Sequence, residues 1–383
     1  MEARFPPISQ NAGTARARGR WGACPYEEGE PDHRLPAQAT LFFRTNPSPF
    51  VDTTTLPSLD TEVSRVGLGT WAIGGWMWGG TDEQESVDTI LSALDRGITL
   101  LDTAPVYGFG RSEEIVGTAL QEYGQRDDVV LATKAGLDWD DDGNVVRRAT
   151  PERLRVEVEQ SLDRLQTDYI DLYQVHWPDP RVPMDETAGV LRELRHDGLI
   201  RTIGVSNFDP SQMDTFRRAA PLHTCQPPYN LFERGIEDGV LSYCRQEDIG
   251  LLTYGALCRG LLSGKMSADR TFEGDDLRNT DPKFQTPHFE QYLTAVDRLD
   301  QWARDRYDKR VIHLAVRWIL DQGVDVALWG ARTPDQLDAV GGVSGWSLSD
   351  DDLEEIDRIL DDTIDAPIAP DFMAPPARDA AEA

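Results

Sequence analysis

The sequence predicts an α/β protein, a single-domain (β/α)8 TIM barrel, and three observations carry that reading. From about Leu56 onward, short apolar runs alternate with amphipathic stretches of helical period. Alternation of this kind calls for a parallel sheet covered on both faces. The runs number eight, the count that closes a barrel. Polar residues interrupt the apolar pattern at the C-terminal ends of many runs: Asp102, Lys134, His176, Ser206 with Asn207, Gln226, Tyr254 and Arg332. A barrel gathers those ends on one rim, where such folds keep their chemistry. An open doubly wound sheet, the competing topology, spreads them along an edge.

The predicted strands are 64–69, 98–102, 129–134, 170–176, 200–206, 224–226, 250–254 and 324–330. Helices are expected over 83–96, 151–165 and 184–197, among others; Thr150 and Pro151 form an N-cap and first-turn pair for the second. Residues 1–55 read as an extension and 56–383 as the barrel with its C-terminal tail. The first 50 residues hold five acids and six arginines, a net +1 against −30 for the remainder. Gly, Pro and Ala punctuate them and no apolar period persists, so no fold is expected there. An upstream start codon, with the protein beginning near Val51, would give the same pattern.

The whole chain of 383 residues carries a formal charge of −29 and only four lysines, Lys134, Lys265, Lys283 and Lys309. The acids are distributed along the chain rather than gathered in a tail. Like charge at this density repels itself in dilute buffer, and salt removes that repulsion. The expectation is a protein suited to a salt-rich cytoplasm. Nucleic acid is excluded as a partner, since phosphate binding needs a basic face. No apolar run approaches the length of a membrane span, and no secretory leader is visible. A cytoplasmic, monomeric protein with no membrane partner is expected. The cysteines lack CxxC spacing and the histidines lack a ligand motif, so neither a disulfide framework nor a metal is expected.

A lysine that ends a buried strand is costly unless paired, and this chain avoids lysine almost everywhere. Lys134 in "VVLATKAG" therefore points to a specific task. Asp102 ends the preceding strand, Tyr107 follows it by five residues, and His176 ends the next strand after Lys134. An acid, a phenol, an ammonium and an imidazole on one rim suit carbonyl reduction, where a proton donor must wait at the developing oxyanion. A phenol has a pKa near 10. A lysine cation about 4 Å away contributes roughly 4 kcal/mol at an effective dielectric near 20, enough to bring the phenol toward neutrality. The acid would hold the lysine charged, and the imidazole would donate a second hydrogen bond to the same oxygen.

The stretches "LDTAPVYGFGRSEEIVGTAL", "LATK", "DLYQVHWPDP", "GLIRTIGVSNF" and "LWGARTPDQLD" together resemble the aldo-keto reductases. "GLGTWAIGGWMWGGTDE", "QPPYNLFER", "CRGLLSGKM" and "FMAPP" place the resemblance with the bacterial general-stress-protein branch. The resemblance implies a catalytic tetrad of Asp102, Tyr107, Lys134 and His176, with Tyr107 as acid in reduction and base in oxidation. It also implies a nicotinamide dinucleotide cofactor. Ser206, Asn207 and Gln226 would hold the carboxamide, and Tyr254 would stack on the ring. Thr70 and Trp71 would border it. The segment 255–265 would wrap the pyrophosphate through Gly255, Ala256, Leu257, Gly260, Leu262, Gly264 and Lys265. Gly330, Arg332 and Gln336 would meet the adenosine end. An arginine ahead of a short helix suits a 2′-phosphate, so NADPH is preferred to NADH; Thr333, where relatives often carry a second base, weakens that preference. No GxGxxG fingerprint follows a strand, in keeping with a barrel.

Trp71, Trp76, Trp78, Trp177 and Phe109 are candidate walls for a small-molecule carbonyl substrate. Glu113 and Glu114 read as first-turn acids favoured by the helix dipole, "DWDDDGN" as a solvated hairpin, and residues 275–284 as a clasp over bound cofactor. Two other functions share the sequence pattern: a sugar or polyol dehydrogenase working in the oxidative direction, and a non-catalytic nucleotide-sensing subunit.

Overall fold

The computed structural model describes residues 51–378; the first 50 residues of the extension expected over 1–55 lie outside them. Among the described residues, eight parallel strands close into a barrel. They are β3 (Val66–Gly69), β4 (Leu100–Asp102), β5 (Val130–Ala135), β8 (Ile170–Val175), β9 (Ile200–Ser206), β10 (Thr224–Gln226), β11 (Gly250–Thr253) and β12 (Val326–Gly330). Strands β12 and β3 pair through Trp329–Leu68 and Gly330–Gly69, which shuts the ring.

The expected first strand, 64–69, is divided. Thr53–Thr55 (β1) pairs antiparallel with Glu62–Ser64 (β2), and β3 begins only at Val66. Arg65 makes the break, its guanidinium turned to the carbonyls of Leu320, Val324 and Asp325. The folded body thus begins ahead of the boundary expected at Leu56, with Val51 buried. Leu56, Leu59 and Val63 pack on Leu100, Val130, Leu172, Leu252 and Val326, filling the N-terminal end of the barrel with hydrocarbon.

Side chains alternate across each strand. The parity that sends Leu100, Val130, Ala132 and Leu172 inward also sends Asp102, Lys134 and Gln174 inward one layer higher, since Lys134 pairs with Gln174 and Asp102 with Ala132. The interior is therefore apolar below and polar at the C-terminal rim. Gly204 makes room for this layer: a Cβ there would lie 2.9 Å from Gln174 Cγ.

In the outer ring a cap is found at the Asp82 side chain for helix α1 (Glu83–Asp95), and Thr150 caps α3 (Pro151–Leu165) as expected. Between them, α2 (Arg111–Tyr123) starts at Gly110, whose φ of +103° suits only glycine. Residues 137–147 form the expected hairpin, β6 (Leu137–Trp139) on β7 (Val145–Arg147). No helix among the described residues is long and apolar enough to cross a membrane.

Candidate active site

Tyr107 sits in a tight turn between β4 and α2. Its amide donates to the Ala104 carbonyl, and its own carbonyl accepts from Ser112 N. A buried hydroxyl cluster pins the turn: Ser112 Oγ lies 2.7 Å from Thr70 Oγ1 and 2.9 Å from Thr103 Oγ1. Thr70, an expected cofactor contact, thus has its hydroxyl committed to the scaffold.

Beneath the turn, the Lys134 ammonium donates to Asp102 Oδ1 at 2.5 Å, to the Thr103 carbonyl at 3.0 Å and to Tyr107 Oη at 3.3 Å. Asp102 Oδ2 accepts from Gln226 Nε2 at 2.8 Å and Gln174 Nε2 at 3.4 Å. The His176 ring meets Tyr107 edge-on, centroids 5.8 Å apart. His176 lies one residue beyond β8, where its amide extends the ladder to the Ala135 carbonyl. The four expected residues are therefore together, although Gln174 was missed. Its signal is a polar side chain two residues before His176, on the same inward parity of β8.

One expectation about this cluster is revised. Lys134 does not draw the Tyr107 pKa toward neutrality. Burial first, and then the Asp102 charge, push the phenol well above its ordinary value. The carboxylate at contact distance from Nζ cancels most of the lysine field at the phenol, and desolvation disfavours phenolate. Burial also depresses Lys134, which Asp102 counters by favouring the ammonium. Burial, followed by Lys134, keeps His176 well below its ordinary value and hence neutral.

On the next strands, Asn207 Nδ2 donates to the His176 carbonyl and to Ser206 Oγ, and its Oδ1 accepts from Tyr254 Oη at 2.9 Å. Asn207 sits at φ +63°, a conformation asparagine tolerates. The residues expected at the carboxamide and ring thus form one chain, Tyr254–Asn207–Ser206, with Ser206 Oγ donating to the Gln226 carbonyl.

A cleft of about 430 Å³ opens beside Tyr107 and Asp102. Trp71, Tyr254, Gly255, Ala256, Leu257, Gly260, Lys265, Gly330, Arg332 and Gln336, all expected at the cofactor, line it. Leu262 and Gly264 do not face it. Leu262 belongs to the outer core, and Gly264 abuts Val311, where a Cβ would come within 2.9 Å of Cγ1. Arg259 of the segment 255–265, Arg278 of the clasp, Arg270 and Met373 line it too. Five cations, Arg259, Lys265, Arg270, Arg278 and Arg332, thus collect at one cleft of an acidic chain; Arg259 is committed to Glu233 and Asp281 and Arg278 to Asp276, so exposed Lys265 and Arg270 are the cations most open to a dinucleotide's phosphates.

Arg332 is already engaged. It donates to the carbonyls of Trp78 at 2.9 Å and Gly80 at 2.6 Å, while Gln336 Oε1 holds its amide. The same loop is gripped from the other side, where Asp275 accepts from the amides of Met77 and Gly79. The expected clasp, 275–284, therefore fastens onto the loop after β3. Trp71 lies nearly parallel to Tyr107 at 6.1 Å. Trp76, Phe109 and Trp139 make a second aromatic row, with Arg147 over Trp177. Glu113 is a first-turn acid of α2, and it is fully buried there, accepting from Thr133 Oγ1 at 2.6 Å and Arg164 at 2.7 Å.

A phenol braced by a buried lysine–carboxylate pair, at the mouth of a parallel barrel and beside a cation-lined cleft, defines a barrel oxidoreductase acting between carbonyl and alcohol. The chain belongs to the Aldo/keto reductase family, whose model matches residues 65–361. It is 62% identical over 327 residues to aldo-keto reductase YhdN of Bacillus subtilis, spanning 85% of this chain and 98% of that one. It is 38% identical to an NADH-specific methylglyoxal reductase of Escherichia coli, over 78% and 94% of the two chains. Among solved structures, the glycerol dehydrogenase AKR11B4 of Gluconobacter oxydans superposes with a TM-score of 0.76 at 55% identity, over 84% of this chain and 99% of that one. An aldo/keto reductase of Klebsiella pneumoniae, in complex with NADP and acetate, gives 0.62 at 28% identity, over 79% and 94%. The protein is an oxidoreductase of NAD(P)H-dependent carbonyl reduction.

Proposed function

We propose that the protein reduces aldehydes and ketones with NADPH, and that Tyr107 hands its phenolic proton to the substrate oxygen. The observation that carries this reading is the Lys134 ammonium donating to Tyr107 Oη at 3.3 Å while anchored to Asp102. Because the lysine donates, the phenol oxygen accepts, and its own hydrogen is left for the substrate. Held by the cleft residues, a nicotinamide cofactor would supply the hydride. Burial keeps Tyr107 protonated at neutrality, so the acid is always loaded. Neutral His176 donates a second hydrogen bond to the same oxygen and orients it. Tyr254 forms the platform for the ring, and Ser206, Asn207 and Gln226 hold the amide. The aromatic rows exclude water from the reacting carbonyl.

The cation-rich cleft supports NADPH, and so does the likeness to a structure in complex with NADP. Arg332 would exchange the Trp78 and Gly80 carbonyls for the 2′-phosphate, with exposed Lys265 and Arg270 on the same cleft. A cytoplasmic monomer is the working form proposed.

The test is oxidation of NADPH and NADH by purified protein with a panel of small aldehydes, beside Tyr107→Phe. Turnover by the wild type and a loss of about 10²–10⁴ in the variant support the reading; equal rates remove Tyr107 as donor. A second reading, polyol oxidation, is favoured by 55% identity to a glycerol dehydrogenase. It requires Tyr107 as base, which its raised pKa opposes, so glycerol oxidation would climb steeply toward alkaline pH.

A further inference from the structure

A closed ionic network lies directly behind the cleft. Arg259 ion-pairs with Glu233 and, through Nε, with Asp281 Oδ2 at 2.5 Å; Lys283 Nζ reaches Glu233 Oε1 at 2.9 Å. The four side chains are 0–4% exposed. Two acids and two bases balance, as burial of charge demands. Asn230 Nδ2 links the network to the cofactor segment, donating to Glu233 Oε2 at 2.7 Å and to the Gly255 carbonyl at 3.0 Å.

The network joins four stretches far apart in sequence. Glu233 follows β10. Arg259 belongs to the segment after β11. Asp281 and Lys283 belong to the clasp. The tail closes over it: the Phe372 ring lies 5.8 Å from the Arg259 guanidinium and 5.9 Å from Lys283 Nζ, and Met373 Sδ lies 3.8 Å from Arg259 Nη1. Cys258 and Arg259 hold φ of +43° and +53°. Non-glycine residues keep left-handed conformations only where their surroundings impose them. Here the surroundings are the two carboxylates that fix the Arg259 side chain.

We propose that this network is a positioning device for the cofactor. Arg259, Asp281 and Lys283 hold the segment 255–265 in its left-handed turn and fasten clasp and tail against it. The network sets how long a dinucleotide stays bound and leaves proton transfer at Tyr107 unchanged. This rests on the reading that the cleft takes a nicotinamide dinucleotide.

The test is the rate of NADPH and NADH release, followed by tryptophan fluorescence, in D281N/K283M. That variant removes one charge of each sign and leaves Glu233 and Arg259 paired, avoiding an orphaned buried charge. The expected result is a melting temperature near that of the wild type, release faster by about tenfold, and an unchanged single-turnover reduction rate. F372A, altered at an exposed ring, is expected to release about threefold faster, as loss of cation–π contact implies. It decides the matter alone if the double variant does not fold. Wild-type release rates in the folded variants overturn the proposal, as does a fall in single-turnover rate with release unchanged. If the wild type binds neither nucleotide, the reading of the cleft falls and takes this one with it; binding with unaltered release sinks only the positioning role.

Discussion

Gly74 and Gly108 meet with no room for a side chain. A Cβ on Gly108 would lie 2.2 Å from the Gly74 carbonyl oxygen, and one on Gly74 would lie 2.5 Å from the Tyr107 carbonyl oxygen. The loop after β3 is thereby pressed onto the turn that carries Tyr107. Gly108 also sits at φ +69°. Gly108→Ala is expected to cost at least about 1–2 kcal/mol and to lower turnover by displacing the phenol. Calorimetry and kcat read both; a variant with normal kcat would show that the turn tolerates the shift.

Asp102 is the main influence keeping Lys134 charged against burial. In Asp102→Asn that support is gone, so Lys134 loses its proton at lower pH. The alkaline limb of the pH–rate profile is expected to move toward acid, with a fall in kcat of about a hundredfold or more. An unmoved limb would separate Lys134 from the observed titration.

His176 is held well below its ordinary pKa by burial and then by Lys134. It stays neutral through the range in which a free imidazole titrates. No inflection near pH ~6.5 is expected in kcat/KM for an uncharged aldehyde. An inflection there that vanishes in His176→Gln would mean that the imidazolium forms.

Glu157 is buried behind β5, accepting from the Gly136 amide at 2.9 Å, and burial pushes its pKa from 4.5 up to about 8. The folded chain thus keeps a proton that the unfolded chain releases. Stability from this group is full below the unfolded value and is lost as pH rises through the folded one. Glu157→Gln is neutral in both states and escapes that loss. The melting temperature of the variant should gain on the wild type between pH ~5 and ~9. A constant difference across that range would mean that Glu157 is ionised in the fold.

The net charge of −29 makes self-repulsion a general cost at low salt. Raising KCl from about 0.1 to about 2 M, where the Debye length falls below roughly 3 Å, is expected to raise the melting temperature. A flat or falling curve would show that the acids are locally compensated.

The barrel and the pairing of Lys134 with Asp102 at its rim were legible in the sequence. Strand parity in eight apolar runs sets which residues face inward, and a strand-ending lysine in a lysine-poor chain needs a counter-charge that Asp102 supplies. Both are local patterns of period and composition, legible without coordinates. Only the tertiary structure decided where long side chains direct their charge. Arg332 turns to two carbonyls of a loop some 250 residues earlier, Glu113 is buried against Arg164, and Arg259 reaches Asp281 in the clasp. It also decided that the phenol is raised rather than lowered, because burial and a third charge act on Tyr107 together. The physical reason is common to all four. Electrostatic energy depends on distance and desolvation in space, and chain separation carries information about neither.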